Sequence, residues 1–213
     1  MNTPSQALGL FPLQTVLFPG GLLQLQVFEA RYLDLIGGCM REKQPFGVIA
    51  LRKGSEVRPR AGTAAAASEA QTEFEEVGVL AELQDVTSTQ AGLLRVQCLG
   101  TRRFKLLSSH QQYNGLWMGD VELMPEEPAM PVPLGLRLAS ERLERALKML
   151  AERGQVPPVA EPWQFDDAAW VAHRWCELLP IDLQSKQALL MMSDVGERLH
   201  TVHDFLIQNG VLE

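Results

Sequence analysis

Hydrophobic and polar residues alternate cleanly between Leu23 and Val27, and the period of the pattern changes a few residues later. The apolar residues of this stretch share one face and two glutamines share the other, which predicts a half-buried β-strand. From Glu29 to about Lys43, apolar residues recur at the three-to-four spacing of an amphipathic helix. The preceding Pro19-Gly20-Gly21 predicts a turn, because proline presets φ and glycine accepts a positive φ.

Short alternating segments of this kind continue to about residue 125, separated by turn residues. Along residues 77–84 every second side chain is predicted to be buried, with Gly78 and Leu80 on the wetter face. Residues 58–76 are small or acidic for most of their length, so they can bury little apolar surface and predict a mobile loop. A succession of short strands with one helix is typical of a barrel-like, mostly antiparallel domain.

The stretch from Pro125 to Pro133 contains four prolines, which stop strands and helices alike. We therefore predict a boundary here, with one subdomain over residues 1–125 and another over residues 126–213. Helical spacing dominates the second part, where a first helix ends at Gly154. Later helices are expected to begin at aspartate caps, namely Asp166 or Asp167, Asp182 and Asp194.

The predicted fold class is therefore α+β, with a mostly antiparallel β subdomain that carries one helix, followed by a C-terminal α-helical bundle. Its 213 residues, 46% hydrophobic and 21% charged, are ordinary for a globular protein. The net charge of -7 is uneven, since residues 126–213 hold 14 acidic against 8 basic side chains. An acidic helical part argues against a nucleic-acid surface there, because phosphate binding needs clustered cations.

Four separated blocks of sequence carry a resemblance to a known family. The blocks are LFPLQTVLFPGGLLQLQVFEARY at 10–32, FGVIALR at 46–52, VGVLAELQDV at 77–86 and LLRVQCLGTRRFKLL at 93–107. They resemble the N-terminal domain of Lon-type ATP-dependent proteases, which also occurs in free-standing LON domain proteins. The resemblance implies a PUA-like β-barrel in the first subdomain and a role in recognising proteins. Gln24 and Ala30 stand where the family usually has proline.

No arrangement of residues points to catalysis, a cofactor or a metal. The chain has no G-x-x-x-x-G-K-[ST] string, and the adjacent Ser185 and Lys186 point about 100° apart on a helix, so they cannot act on each other. His200 and His203 share a helix face, but a metal would need a third ligand from His173 or Cys176. We therefore expect a non-enzyme without cofactor or metal.

Location and thiol chemistry are also indicated by the sequence. No apolar run approaches the ~20 residues that span a bilayer, and no basic stretch precedes an apolar one at the N-terminus, so we expect a cytoplasmic protein without a membrane partner. The three cysteines are far apart and lack metal-ligand spacing. Cys39, Cys98 and Cys176 are expected to be buried thiols.

The leading hypothesis, which follows from the resemblance, is a non-catalytic module that binds a polypeptide substrate or protein partner. The groove would lie on the barrel or between barrel and helices. The candidate contacts are aromatic: Phe18, Tyr32, Phe46 and Phe104. A second set matches the family motifs and is interpreted as structural, with direct partner contact as the alternative: Phe28, Glu29, Arg31 and Arg103. Arg31 is expected to pair with a carboxylate across the barrel.

Two other functions stay open. Related barrels bind RNA, and this chain has two basic clusters, one formed by Arg52, Lys53, Arg58 and Arg60 and the other by Arg102, Arg103 and Lys105. A small-molecule enzyme with a site at the barrel mouth is supported by architecture alone. These patterns specify neither the identity of the partner nor the oligomeric state.

Overall fold

The computed structural model describes residues 5–56, 72–155 and 158–212. Among these residues, the first part of the chain forms strands with one helix, and helices follow in the second part. In chain order the elements are β1 (Gln6–Leu13), β2 (Leu22–Val27), α1 (Ala30–Glu42), β3 (Phe46–Lys53), β4 (Glu73–Phe74), β5 (Val77–Gln90), β6 (Leu93–Gln111), β7 (Trp117–Leu123), a 3₁₀ helix (Leu134–Leu136), α2 (Arg137–Glu152), α3 (Ala168–Leu178), α4 (Leu183–Met191) and α5 (Val195–Gln208).

The seven strands form one sheet in which most neighbours run antiparallel, and the predicted mixture of helix with a mostly antiparallel sheet is confirmed. The strand order is β1-β7-β6-β5-β3-β4, and β2 pairs with β6 outside this path. β1 also pairs with β3 in parallel, so the hydrogen-bonded path from β1 through β7, β6, β5 and β3 returns to β1.

The prediction of a mobile loop over residues 58–76 was wrong at its end. β4 forms there, with Phe74 opposite Leu51 of β3, because the Phe74 ring packs edge-on against Trp117 at 5.1 Å between ring centroids. Residues 58–71 of the predicted loop lie outside the described residues.

The core of the sheet forms around Phe104, whose side chain is fully buried. Its packed neighbours include Leu80, and Gly78 lies beneath the ring, since a Cβ at Gly78 would come within 2.4 Å of Cζ of Phe104. The prediction that Gly78 and Leu80 lie on a wetter face was therefore wrong, because both faces of this part of β5 are covered.

The chain forms two compact units. The first unit comprises residues 1–17 and 23–125, and the second comprises residues 18–22 and 126–213. The division into subdomains at residues 125/126 stays a prediction, since compactness does not test independent folding.

The Pro19-Gly20 turn forms as predicted. The amide of Gly21 donates to the carbonyl of Phe18 at 2.9 Å, and Gly20 has a φ of 74°, which is the geometry of a type II turn. This turn belongs to the second unit, where the guanidinium of Arg174 donates to the carbonyl of Pro19 at 2.8 Å.

The turn can lie this close to Glu177 of α3 only because residue 21 is a glycine. A Cβ at Gly21 would lie 1.9 Å from a carboxylate oxygen of Glu177. The same carboxylate pairs with Nε of Arg174 at 2.8 Å. Burial raises the pKa of the Glu177 carboxyl to about 7, and the neighbouring Arg174 guanidinium opposes that rise.

The aspartate caps of the last three helices are confirmed. Asp167, Asp182 and Asp194 each accept a hydrogen bond from the amide three residues ahead, at 2.8 to 2.9 Å, so each satisfies a donor that the first helical turn leaves unpaired. Gly154 follows α2 with a φ of 72°, as a helix-ending glycine does.

Arg198 of α5 is fully buried and pairs with Glu127. Its Nη1 and Nη2 donate to the two carboxylate oxygens of Glu127 at 2.8 and 2.6 Å. Nε donates to the carbonyl of Leu189 at 2.9 Å, and Nη2 also donates to the carbonyl of Met192. Nη1 lies 2.9 Å from Nε2 of His173, which must accept because a guanidinium only donates.

All three cysteines are buried free thiols, as predicted. Burial raises the pKa of the Cys98 and Cys176 thiols to about 12 and also raises that of Cys39. These thiols are therefore protonated and unreactive at neutral pH.

Substituting Gly78→Ala is expected to lower the free energy of unfolding by about 1–3 kcal/mol, because the new methyl group collides with the Phe104 ring. Gly38→Ala in α1 is the matched control, since nothing lies within 4 Å of its added Cβ. This substitution should raise the free energy of unfolding by about 0.5–1 kcal/mol, because alanine favours a helix over glycine. Urea unfolding midpoints measure both, and a shift in the same direction for the two variants would contradict the packing of Phe104.

Removing the carboxylate of Glu127 is expected to cost about 3–5 kcal/mol, because Glu127→Ala leaves the Arg198 guanidinium buried without its counter-charge. Glu144→Ala removes an exposed carboxylate that pairs with Lys148 at 2.6 Å and should cost only about 0.3–0.5 kcal/mol. Calorimetric unfolding of both variants checks this. Equal losses would mean that the Arg198 network contributes no more than a surface pair.

Candidate functional site

A groove of about 310 Å³ runs along β2 in the first unit. Its lining includes every residue of Leu23–Val27, followed by Phe28, Glu29 and Tyr32, with Phe11 and Leu13 of β1 contributing further apolar surface. We call this cavity the β2 groove. Within the described residues, β2 pairs with β6 and with no other strand.

The side chains of β2 divide between the core and solvent as the sequence predicts. Leu25 and Val27 are buried, while Gln24 and Gln26 are exposed on the opposite face. The strand therefore presents amide side chains, with both donors and acceptors, next to the apolar surface of the groove.

Phe28 stands at the end of β2, is 56% exposed and lines the β2 groove. It precedes Glu29, which occupies the N-cap position of α1, so Phe28 lies at the strand-to-helix junction. The structural role of Phe28 in fixing the helix to the sheet stays a prediction.

Arg31 stabilises the junction between β2 and α1. Its guanidinium pairs with Glu29 at 3.0 Å and donates to the carbonyl of Gly115 at 2.9 Å. The expectation of a carboxylate across the barrel was wrong, because the partner is two residues away on the same junction. Arg31 is almost fully buried, so it positions Glu29 rather than reaching a ligand.

Tyr32 lines the β2 groove, although little of its surface is exposed. Its ring stacks on Phe11 with 4.1 Å between centroids, and Phe11 lies 6.0 Å from Phe46 in turn. Tyr32 thus belongs to a packed group of three aromatic rings, two of which line the groove.

The other three predicted peptide contacts are not on a surface. Phe18, Phe46 and Phe104 are fully buried, so these rings cannot touch a peptide in this structure, and we reassign them to core packing. Phe18 packs 5.6 Å from the His173 ring in the second unit. Arg103 is also buried, and its structural role stays a prediction.

Three of the described cations in the two predicted basic clusters contact protein groups. Arg52 pairs with Glu75 at 3.2 Å, Lys53 pairs with Glu73 at 3.8 Å, and Arg102 donates to a backbone carbonyl at 2.7 Å. Arg58 and Arg60 lie outside the described residues. RNA binding stays a prediction, and these contacts do not add to it.

His200 and His203 both lie near Asp204, at 3.9 and 3.7 Å, but no group of three or more potential ligands among the described residues could hold a metal ion. None of the described helices is both long enough and apolar enough to cross a bilayer.

Of the residues that line the β2 groove, Tyr32 is among the candidate contacts from the sequence, and Phe28 and Glu29 belong to the set interpreted as structural. Gln24 and Gln26 were not among the candidates, although their alternation with buried residues already placed them on the open face of β2.

The family model for the ATP-dependent protease La (LON) substrate-binding domain matches residues 7–208 of this chain. A Lon N-terminal domain protein from Xanthomonas campestris has a similar crystal structure, with a TM-score of 0.71 and 30% identity, and the match covers 94% of this chain and 98% of that one.

Two more distant relatives share part of this likeness. The N-terminal domain of the Mycobacterium avium complex Lon protease is similar in fold, with a TM-score of 0.59 at 17% identity, and the match covers 94% of this chain and 97% of that one. Protein cereblon from Xenopus tropicalis is 26% identical over 129 residues, which is 60% of this chain. The chain spans 26% of the length of cereblon.

Proposed function

The chain belongs to the LON substrate-binding domain family, and from this premise we propose that it is a non-catalytic module that binds polypeptide segments in the β2 groove. Its predicted resemblance to Lon N-terminal domains is confirmed. The observation that carries the proposal is the exposed Phe28 ring at the end of a strand with one described sheet neighbour, beside an apolar groove.

The geometry favours recognition by strand addition. An extended peptide pairs with backbone groups along the open side of β2, while its alternate side chains enter the groove. Backbone pairing depends little on sequence, which suits a module that accepts many unfolded chains. The amides of Gln24 and Gln26 supply further hydrogen bonds at the lip.

Phe28 supplies the apolar anchor of this proposed site. Aromatic residues are enriched among those that dominate binding energy, and an exposed ring regains favourable free energy when a partner covers it. Arg31 holds the junction that positions the ring, so the anchor is rigid before a peptide arrives.

We further infer that the returning path of strands in the first unit is the PUA-like barrel that the resemblance implies, and that the helices of the second unit form the predicted bundle. The parallel β1–β3 pairing supports the first inference. The capped α3, α4 and α5, linked through the contacts of Arg198, support the second. On this proposal, residues 1–125 and 126–213 are subdomains of one recognition module.

Substituting Phe28→Ser is expected to weaken binding of a fluorescently labelled, permanently unfolded polypeptide about tenfold, because truncation of an aromatic anchor costs about 1–2 kcal/mol. Reduced and carboxymethylated α-lactalbumin is a suitable probe, and fluorescence anisotropy measures its dissociation constant.

Tyr113→Ser is the matched control for this test. Tyr113 is fully exposed at the turn between β6 and β7 and does not line the β2 groove, so its removal should leave binding unchanged. Absence of saturable binding by the unsubstituted protein at micromolar concentration would refute the proposed function. Equal weakening by both substitutions would refute the placement of the site.

A further inference from the structure

A second groove, of about 360 Å³, lies in the second unit and is almost wholly apolar. α4 contributes Ala188 and Leu189 to its lining, and α5 contributes Val202 and Phe205. Leu179 and Ile181, from the segment that joins α3 to α4, also line it. We call it the α4–α5 groove, and its volume is within the ~300–1,000 Å³ of typical ligand sites.

The two hydroxyl groups in this lining are already engaged. The Ser185 hydroxyl donates to the carboxylate of Asp182 at 2.6 Å, and the Thr201 hydroxyl donates to the carbonyl of Glu197 at 2.9 Å. Because both hydroxyl protons already make hydrogen bonds within the protein, the lining favours apolar side chains over a polar ligand.

Exposed carboxylates lie next to the groove in the chain. Asp182 directly follows Ile181, Asp204 directly precedes Phe205, and Glu197 lies one helical turn before Thr201. All three carboxylate residues are exposed.

The cations of the same segment do not cancel this charge at the surface. Residues 182–208 contain two, Lys186 and Arg198. Arg198 is fully buried on Glu127. Lys186 donates to the backbone carbonyl of Glu177 at 3.2 Å and keeps its charge, so it offsets one of these carboxylates. The surface next to the groove therefore keeps an excess of negative charge.

We infer that the α4–α5 groove is a second polypeptide subsite, which takes apolar side chains from segments that also carry lysine or arginine. This inference rests on the proposed function and adds to it a preference for basic, apolar segments. The apolar lining accounts for the preference for apolar side chains. The exposed carboxylates of Asp182, Glu197 and Asp204, which we call the acidic rim, attract the flanking cations.

Charge complementarity also decides against other occupants. A second copy of this chain carries a net charge of -7 and would bring like charge to an acidic rim. An anionic lipid surface would be repelled in the same way. A polypeptide with cationic residues beside its apolar ones satisfies both the lining and the rim.

The test uses three labelled 12-residue peptides with the same central leucines, flanked by lysine, by glutamate or by serine. The lysine-flanked peptide is expected to bind about fivefold more tightly than the glutamate-flanked one in low salt, since a few exposed ion pairs contribute ~0.2–1 kcal/mol each. The preference should shrink at 0.5 M salt, where screening is strong.

Two substitutions locate the subsite. Ala188→Trp fills the groove from an exposed helix position and should weaken binding of the lysine-flanked peptide severalfold. Asp204→Lys should reduce or reverse the charge preference. Glu152→Lys makes the same change in net charge at the end of α2, outside the groove, and is the matched control.

The outcomes separate this inference from the proposed function. If every peptide binds but charge preference is absent, or if Glu152→Lys acts as strongly as Asp204→Lys, the α4–α5 subsite is refuted while the β2 groove stands. If Phe28→Ser abolishes binding and Ala188→Trp has no effect, the subsite is again refuted. If no peptide binds at all, both proposals fail.

Discussion

The buried guanidinium of Arg198 is the constraint on which the arrangement of the second unit depends. An arginine has five N–H donors, and a charge removed from water is tolerated when its donors are satisfied. Here all five have acceptors: two oxygens of Glu127, the carbonyls of Leu189 and Met192, and Nε2 of His173. These partners come from α3, from the end of α4 and from the segment before α2, so a single side chain sets α3, α4 and α5 in register. Because Leu189 and Met192 also line the α4–α5 groove, the network that satisfies a buried charge also fixes one wall of the proposed subsite.

Local features of this fold were predictable, because their causes lie within a few residues. The turn at Pro19-Gly20 needs a preset φ followed by a positive one, and the helix starts at Asp167, Asp182 and Asp194 need a side-chain acceptor three residues before an amide. The partners of Arg198 could not be predicted in this way. Glu127 lies 71 residues away in the chain, and nothing in the local pattern distinguishes it from its neighbour Glu126.

The candidate site also depends on contacts that the local sequence does not specify. An aromatic residue in an apolar run has the same sequence signature whether it fills a core or anchors a ligand. Phe104 is a core residue because Gly47 and Gly78 leave room beside its ring, and that space exists only once the strands have paired. Phe28 is exposed because it falls between the end of β2 and Glu29, the N-cap position of α1. Its exposure follows from the junction, not from its residue type.

The two proposed grooves differ in what they can distinguish. A strand edge binds backbone, which every unfolded chain offers, so recognition there depends on whether a segment is extended and accessible. The proposed α4–α5 groove contacts side chains. Its acidic rim adds a long-range electrostatic attraction for cationic segments, which salt weakens. Apolar residues with basic neighbours are commonly covered in folded proteins or in their complexes, and they become accessible together when a chain unfolds or loses its partner. A module that combines the two modes would therefore discriminate by folding state through β2 and by composition through the helices, without needing a defined sequence motif.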